Sequence, residues 1–197
     1  MKITVTGFKG GNAKTTTAVH LAAYFQERAP TLLIDGDPNR SATGWNERGR
    51  LPFTILDERD ARRHTPQYQH YIVDTQARPS PGELRDLARS CDLLIIPTTP
   101  DALALDALLL TIDTLQGIGA KHYRILLTIV PPHPSRDGEE ARATLKARGL
   151  PLFRGEIRRY VAFQKAALLG IPVYQVGGPR AKIAWSDYQQ IGREIAR

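Results

Sequence analysis

The chain is predicted to fold as an α/β protein, three layers deep, with a mostly parallel sheet covered by helices on both faces. Three observations predict it. Short apolar runs alternate with helix-length stretches across all 197 residues, the pattern that crossover helices between parallel strands require. A glycine-rich segment, Gly7-Phe8-Lys9-Gly10-Gly11-Asn12-Ala13-Lys14-Thr15-Thr16-Thr17, joins the first run to the first such stretch. Acidic residues lie at the ends of two other runs, and in open α/β sheets the ligand crevice lies beyond the carboxyl ends of the strands.

Residues 2–6 read as a strand, and a helix opening at Thr15 carries Ala18, Leu21, Ala22 and Phe25 on one face. Thr31-Leu32-Leu33-Ile34-Asp35 is a second strand, followed by Gly36-Asp37-Pro38 and a polar helix near 40–48. A weaker strand at 53–56 leads into an irregular charged stretch, 57–66. Tyr71-Ile72-Val73-Asp74 is a buried strand, 81–90 a helix, and 93–97 the next strand. The helix at 101–116 has Leu105, Leu108, Leu109, Ile112 and Leu115 in one stripe and Leu103 and Leu110 outside it, so it is expected to be buried on two sides, within the fold or against a second subunit. A strand at 124–130, a helix at 137–148, a strand at 152–157 and a helix at 160–169 follow. The last helix, 180–196, turns Ala184, Tyr188, Ile191 and Ile195 inward.

There is no internal repeat, low-complexity segment or linker, so residues 1–197 are expected to form a single domain. Hydrophobic residues make up 42% and charged residues 24%, within the range of a globular protein. The formal charge of +7 suits an anionic partner, nucleic acid or a membrane surface, or simply a solvated basic surface. Cys91 is the single cysteine, which excludes an internal disulfide framework, and a buried thiol is expected. No apolar run is long enough to cross a bilayer, and the sequence reads straight into a strand without a leader; a cytoplasmic protein is the expectation.

The glycine-rich segment has the chemistry of a phosphate cradle. Gly10 and Gly11 let the backbone approach phosphate oxygens, successive N–H groups form an anion nest, and the helix N-terminus adds partial positive charge. Lys14 would reach the β- and γ-phosphates and Thr15 would place its hydroxyl on Mg²⁺. Ala13 replaces the glycine that usually precedes the lysine, which is tolerable with a negative φ. Asp74, at a buried strand end, is suited to holding Mg²⁺; of Asp35 and Asp37, Asp37 is favoured for orienting the attacking water and Asp35 for the metal. An ATP–Mg²⁺ site is expected, with Lys9 to Thr16 contacting the nucleotide.

These residues carry a resemblance. Lys9-Gly10-Gly11-Asn12-Ala13-Lys14-Thr15 resembles the deviant Walker A motif of the ParA/MinD ATPases, K-G-G-x-x-K-[ST]. Asp35-Gly36-Asp37-Pro38 looks like the family's D-x-D-P box, with Asn39 in place of the common glutamine, and Tyr71-Ile72-Val73-Asp74-Thr75 its Walker B strand. The motifs span nearly the whole chain in order. The chain is similar to short ParA-like members without a helix-turn-helix domain, of the ParF-like plasmid-partition or McdA-like carboxysome-positioning type. The resemblance implies a P-loop NTPase fold and an ATP hydrolase that is slow without its partner. It further implies an ATP-dependent homodimer with Lys9 reaching the other subunit's nucleotide, non-specific DNA binding on the nucleoid, and an adaptor or centromere-binding protein on the cargo that stimulates hydrolysis.

A basic surface doubled by dimerisation would hold DNA phosphates by counterion release. The candidates are Arg158, Arg159, Lys165, Arg180, Lys182, Arg193 and Arg197, together with Arg154; Lys182, Arg193 and Arg197 are read as projecting alike from the last helix. The five histidines, His20 among them, are scattered without metal-ligand spacing, and Trp45 and Trp185 read as packing residues. Two other functions fit the scaffold. A MinD-like membrane-associated ATPase would need a terminal helix with bulky apolar residues on one side, whereas the last ten residues are polar. A carboxylate-activating synthetase would need an added substrate domain.

Overall fold

The computed structural model describes residues 1–64 and 67–197. Six parallel strands form one sheet in the order β3-β2-β4-β1-β5-β6. In chain order these are β1 (Lys2–Gly7), β2 (Thr31–Gly36), β3 (Thr54–Asp57), β4 (His70–Ala77), β5 (Leu93–Thr98) and β6 (Tyr123–Leu127). In register, Val5 of β1 lies beside Asp74 of β4, which lies beside Asp35 of β2. Topology thus sets both acidic residues level with the last residues of β1, where the glycine-rich loop begins.

Alternation along each strand feeds two different interiors. Ile3, Val5, Leu33, Ile72 and Ile95 point to one face and join a single continuous cluster. Over them lie α1 (Lys14–Gln26), α2 (Ser41–Glu47), α7 (Val161–Leu169) and α8 (Pro179–Ile195). On the other face α3 (Glu58–His64), α4 (Pro81–Ser90), α5 (Ala102–Gly117) and α6 (Asp137–Ala147) cover two separate clusters. One is built on Leu32, Ile34, Ala61 and Val73, the other on β5, β6 and the helices α4, α5 and α6. The seam between them falls on central strand β1, which offers this face the fully buried Thr4 and Thr6 instead of large apolar side chains.

Helix α1 is buried on every side from Thr17 to Phe25, beyond the single apolar stripe expected. The reason is α8, which covers its outer side: Gly192 lets the Tyr24 ring come so close that an added Cβ would stand 2.3 Å from a ring carbon. Between them lies His20, fully buried. Its Nδ1–H donates to the Thr16 carbonyl (2.7 Å), its Nε2 accepts from the Val173 N–H (3.0 Å), and its ring stacks on Tyr188 at 4.8 Å. Burial pushes its pKa down to about 4, the bond to Thr16 acting in the opposite sense. Trp45 and Trp185 pack in the same cluster, as expected.

Several segments depart from the reading of the sequence. The stretch from Asp57, read as irregular, contains helix α3, opened by Glu58 and Asp60 in its first turn and seated on buried Ala61; residues 65 and 66 lie outside the described residues. Strand β6 stops at Leu127 because Ile129 takes φ 52°, a left-handed conformation that no strand accommodates. Residues 152–157 form no regular strand. They run beside β6, with Phe153 and Ile157 donating to the Ile125 and Leu127 carbonyls, and are held by Arg142 and Glu194. Helix α5 leaves Leu103 and Leu110 exposed, so within the chain it is buried on one side. Cys91 is only half-buried.

Candidate nucleotide-binding site

The glycine-rich loop leaves β1 at Gly7 and enters α1 at Lys14. It is tied to three strand ends. Asn12 is buried, its Nδ2 donates to the Pro97 carbonyl (3.2 Å), and its own carbonyl accepts from the Thr128 hydroxyl (3.1 Å). The Arg78 N–H donates to the Gly7 carbonyl at 3.2 Å. Gly11 (φ 80°) and Ala13 (φ 62°) both take left-handed conformations. The negative φ that would make an alanine easy to tolerate is not the one Ala13 adopts: the loop keeps a glycine-type geometry there, since a reversal of hand is what turns successive N–H groups towards one centre. For an alanine this costs roughly 1–2 kcal/mol, and no side chain caps the helix in compensation.

A groove of about 460 Å³ runs over the loop. Gly10, Gly11, Ala13, Lys14, Thr15 and Thr16 form one wall; Asp37, Asn39, Ser41 and Gln76 stand opposite. Lys14 is buried, with its ammonium donating to the Lys9 carbonyl at 3.2 Å. Burial lowers its pKa, against the nearby charges of Asp74 and Asp37.

Asp74 is fully buried, and neither carboxyl oxygen makes a hydrogen bond among the described residues. Burial raises its pKa to about 7, with Asp35 and Asp37 adding to the rise and Thr15 and Lys14 opposing it. A buried carboxyl without a partner costs several kcal/mol if ionised. A cation placed against it, beside the Thr15 hydroxyl, would satisfy it, so the donor set fits a hard divalent ion such as Mg²⁺.

Asp35, expected beside the metal, is buried and already engaged. Its Oδ2 accepts from the N–H and hydroxyl of Thr43 (2.8 and 2.7 Å), and its Oδ1 from the Asp37 N–H (3.3 Å). In this structure it holds the turn into α2 and does not line the groove. Asp37 does line it; its Oδ1 accepts from the N–H and Nδ2 of Asn39 (2.9 and 3.0 Å).

Lys9 lies outside the groove. Its ammonium pairs with Asp101 Oδ1 at 3.0 Å, and Asp101 also caps α5 through the Ala104 N–H. The Thr99 hydroxyl, then Lys9 and Ala104, hold the Asp101 carboxyl below the usual range. Asp101 went unread in the sequence although an aspartate before an apolar helix is a capping signal. Gln76 and Thr128 carried no comparable signal, because their places depend on which strand ends the sheet brings together.

The basic candidates divide. Arg159, Lys165, Arg180, Lys182, Arg193 and Arg197 are exposed, and their side chains form no ion pair among the described residues. Arg158 is committed within the chain: its guanidinium donates to buried Asp187 through Nε at 3.1 Å and through a second nitrogen. It therefore drops out as a free cation. Arg197 lies past the end of α8 at Ile195, so the helix does not align it with Lys182 and Arg193 as expected.

A glycine-rich nest, a buried lysine and an orphaned carboxyl at the carboxyl edge of a parallel sheet define a phosphate-loop nucleotide-binding protein. Residues 3–173 match the model of the CobQ/CobB/MinD/ParA nucleotide binding domain, and the chain belongs to that family. It is similar to "Maintenance of carboxysome distribution protein A" of Gloeobacter kilaueensis, 36% identical over 99% of this chain and 94% of that one. Among solved structures, an ATP complex of a McdA variant from Cyanothece matches with a TM-score of 0.70 and 17% identity, over 97% of this chain and 96% of that one. The septum site-determining protein MinD of Pyrococcus horikoshii, complexed with Mg-ADP, matches with a TM-score of 0.73 and 16% identity, over 98% and 95% of the two chains.

Proposed function

We propose that this chain is an ATPase that dimerises on binding ATP, holds DNA without sequence preference, and distributes an intracellular cargo whose bound partner stimulates hydrolysis. The observation that carries the nucleotide part is the unpartnered, fully buried carboxyl of Asp74 behind Lys14 and Thr15 on a pinned anion nest. Residues 9–16 would hold the nucleotide, with Lys14 on its phosphates. Thr15 and Asp74 would hold Mg²⁺, which neutralises phosphate charge when bound. Asp35 sets the turn that presents Asp37, and Asp37 orients water. Lys9 would serve the second subunit's nucleotide. Its exposed pair with Asp101 is worth only about 0–1 kcal/mol, so little holds it in place.

The exposed cations Arg159, Lys165, Arg180, Lys182, Arg193 and Arg197 would supply the DNA contacts, on a chain of formal charge +7. On this reading the protein works in the cytoplasm, on the nucleoid. The relative at 36% identity supports a carboxysome-type cargo over a plasmid. No helix among the described residues is long and apolar enough to cross a membrane, and α8 spends its apolar face on the core, which weighs against the membrane-associated alternative.

Lys14→Ala is expected to abolish ATP binding, and Asp37→Ala to retain an ATP-bound dimer with turnover reduced at least ~100-fold. Light scattering and phosphate release measure both; parental turnover in Asp37→Ala rejects its role. Retention on DNA should require ATP and fall steeply with salt. Equal retention of apo and ATP-bound protein rejects the switch.

A further inference from the structure

Helix α4 keeps its charges apart. Glu83 and Asp86 line the groove between α3 and α4, whereas Arg85 and Arg89, one helical turn apart, line a separate cleft. That cleft measures about 380 Å³, within the roughly 300–1,000 Å³ of ligand-binding pockets. The connection from α5 to β6 supplies another wall, with Lys121 and His122, and Ala88, Ile118 and Ala120 give the lining its apolar surface. Cys91, which follows α4, completes it. The cleft lies at the amino edge of the sheet, where β5 and β6 begin, whereas the phosphate groove lies at the carboxyl edge.

Cations gathered in one cleft repel each other, and no carboxylate lines this one among the described residues. The side chains of Arg85, Arg89 and Lys121 are exposed and form neither an ion pair nor a hydrogen bond among the described residues. Basic residues near helix C-termini often serve the last carbonyls, but here those carbonyls are engaged elsewhere. At the end of α5, Thr114, Leu115 and Gln116 accept from the N–H groups of Ile118, Ala120 and Gly119 (3.1, 2.9 and 3.0 Å). At the end of α4, the Leu87 carbonyl accepts from the Ser90 hydroxyl at 3.3 Å. Asp92, next to Cys91, stands outside the lining and accepts from the Lys2 N–H at 2.7 Å. Burial raises the pKa of the Cys91 thiol, so it brings no negative charge. A concave surface lined by charge of one sign focuses its field on a counter-ion.

We propose that this cleft binds a small ligand carrying two or more phosphate groups, held by Arg85, Arg89 and Lys121 against the apolar surface of Ile118 and Ala120. The two guanidinium groups offer planar forks that match pairs of phosphate oxygens, and Lys121 adds a point charge from the other wall. A concave site suits a small ligand better than a duplex, whose phosphates follow a convex ridge. The cleft is thus a second anion site, and it does not depend on the reading of the phosphate groove as an ATP site.

Cys91 is the single cysteine and lines the cleft, so its alkylation reports on this site alone. The full chain is treated with iodoacetamide, which is uncharged, with and without inorganic tripolyphosphate. At saturating tripolyphosphate alkylation slows at least ~fivefold, and equally in Lys14→Ala, where the phosphate groove has lost its lysine. Calorimetric titration of Lys14→Ala gives the affinity, which Arg89→Gln and Lys121→Gln each lower about tenfold, the worth of one charge-assisted contact. Lys165→Gln, on the opposite face of the sheet, leaves it within about twofold. Equal protection by sodium chloride of matched ionic strength, affinity indifferent to both cleft substitutions, or protection lost in Lys14→Ala each overturn the proposal. So does a short DNA duplex that protects Cys91 at a lower phosphate concentration than tripolyphosphate, the cleft then belonging to nucleic acid. The calorimetric titration judges the cleft even where Cys91 reacts slowly.

Discussion

On one face of the sheet Ile3, Leu33, Ile72 and Ile95 pack beneath α1, α2, α7 and α8 in one unbroken cluster; on the other, alternate residues of the same strands serve two clusters with Thr4 and Thr6 between them. The continuous face carries α1, whose first turn is part of the phosphate loop, so the loop stands on the best-packed element of the molecule. The divided face carries α3 and α4, which flank the ends of β2 and β4, where Asp37 follows β2 and Gln76 is the last residue but one of β4. A binding loop must be held still, and local stability follows how continuously each face is packed.

The sharpest way to break this comparison is to remove one buried side chain from each face. Tyr188 is fully buried, stacked on His20 and bonded to the Thr17 hydroxyl at 3.2 Å. Tyr188→Ala is expected to cost about 3–5 kcal/mol. Ile34 borders a groove between α3 and α4 and is 9% exposed, so Ile34→Ala should fall near the low end of the aliphatic range, about 2 kcal/mol. Urea denaturation measures both, and equal losses would mean that the two faces are packed alike.

A smaller effect, specific to the continuous face, follows from His20. Its folded pKa of about 4 lies below the ordinary 6.5, so between these values the unfolded chain binds the proton that the folded chain refuses. Stability is therefore fully present above pH 6.5, declines as pH falls, and has lost about 3 kcal/mol by pH 4. Tyr188, its stacking partner, has its pKa pushed further above the ordinary tyrosine value by burial and stays neutral throughout this window. Denaturation midpoints in His20→Gln should show a flatter slope over the same range; an unchanged slope would move the titration elsewhere.

The sequence made the architecture legible because parallel strands buried on both faces appear as apolar runs, and 31–35 and 71–74 announce themselves that way. Loop spacing and the acidic strand ends likewise located Lys14, Thr15, Asp37 and Asp74. What stayed hidden depends on pairs distant in sequence. Asp35 gave no sign of its bonds to Thr43, eight residues on. Arg158 looked like any surface arginine until the fold brought Asp187 to it across 29 residues. His20, read as one of five scattered histidines, is the polar centre of an aromatic cluster whose members come from α1, α2, α7 and α8. Helix α3 escaped because seven residues with a single apolar one, the buried Ala61, make no periodicity.

The smallest effect concerns the junction of the loop with the continuous face. Ala13 at φ 62° precedes Lys14, and its carbonyl accepts the Thr17 N–H at 2.8 Å, so the strained residue is locked to the first turn of α1. Ala13→Gly removes a left-handed penalty of about 1–2 kcal/mol but adds about 0.5–1 kcal/mol of backbone entropy to the unfolded chain. The net gain is expected to lie between 0 and about 1.5 kcal/mol. Glycine adopts the same backbone, so ATP affinity should stay within about twofold. Thermal denaturation and nucleotide titration read the two quantities separately. A loss of stability would show that the alanine methyl contributes packing that outweighs its strain, and that the loop draws support from above as well as from the core beneath α1.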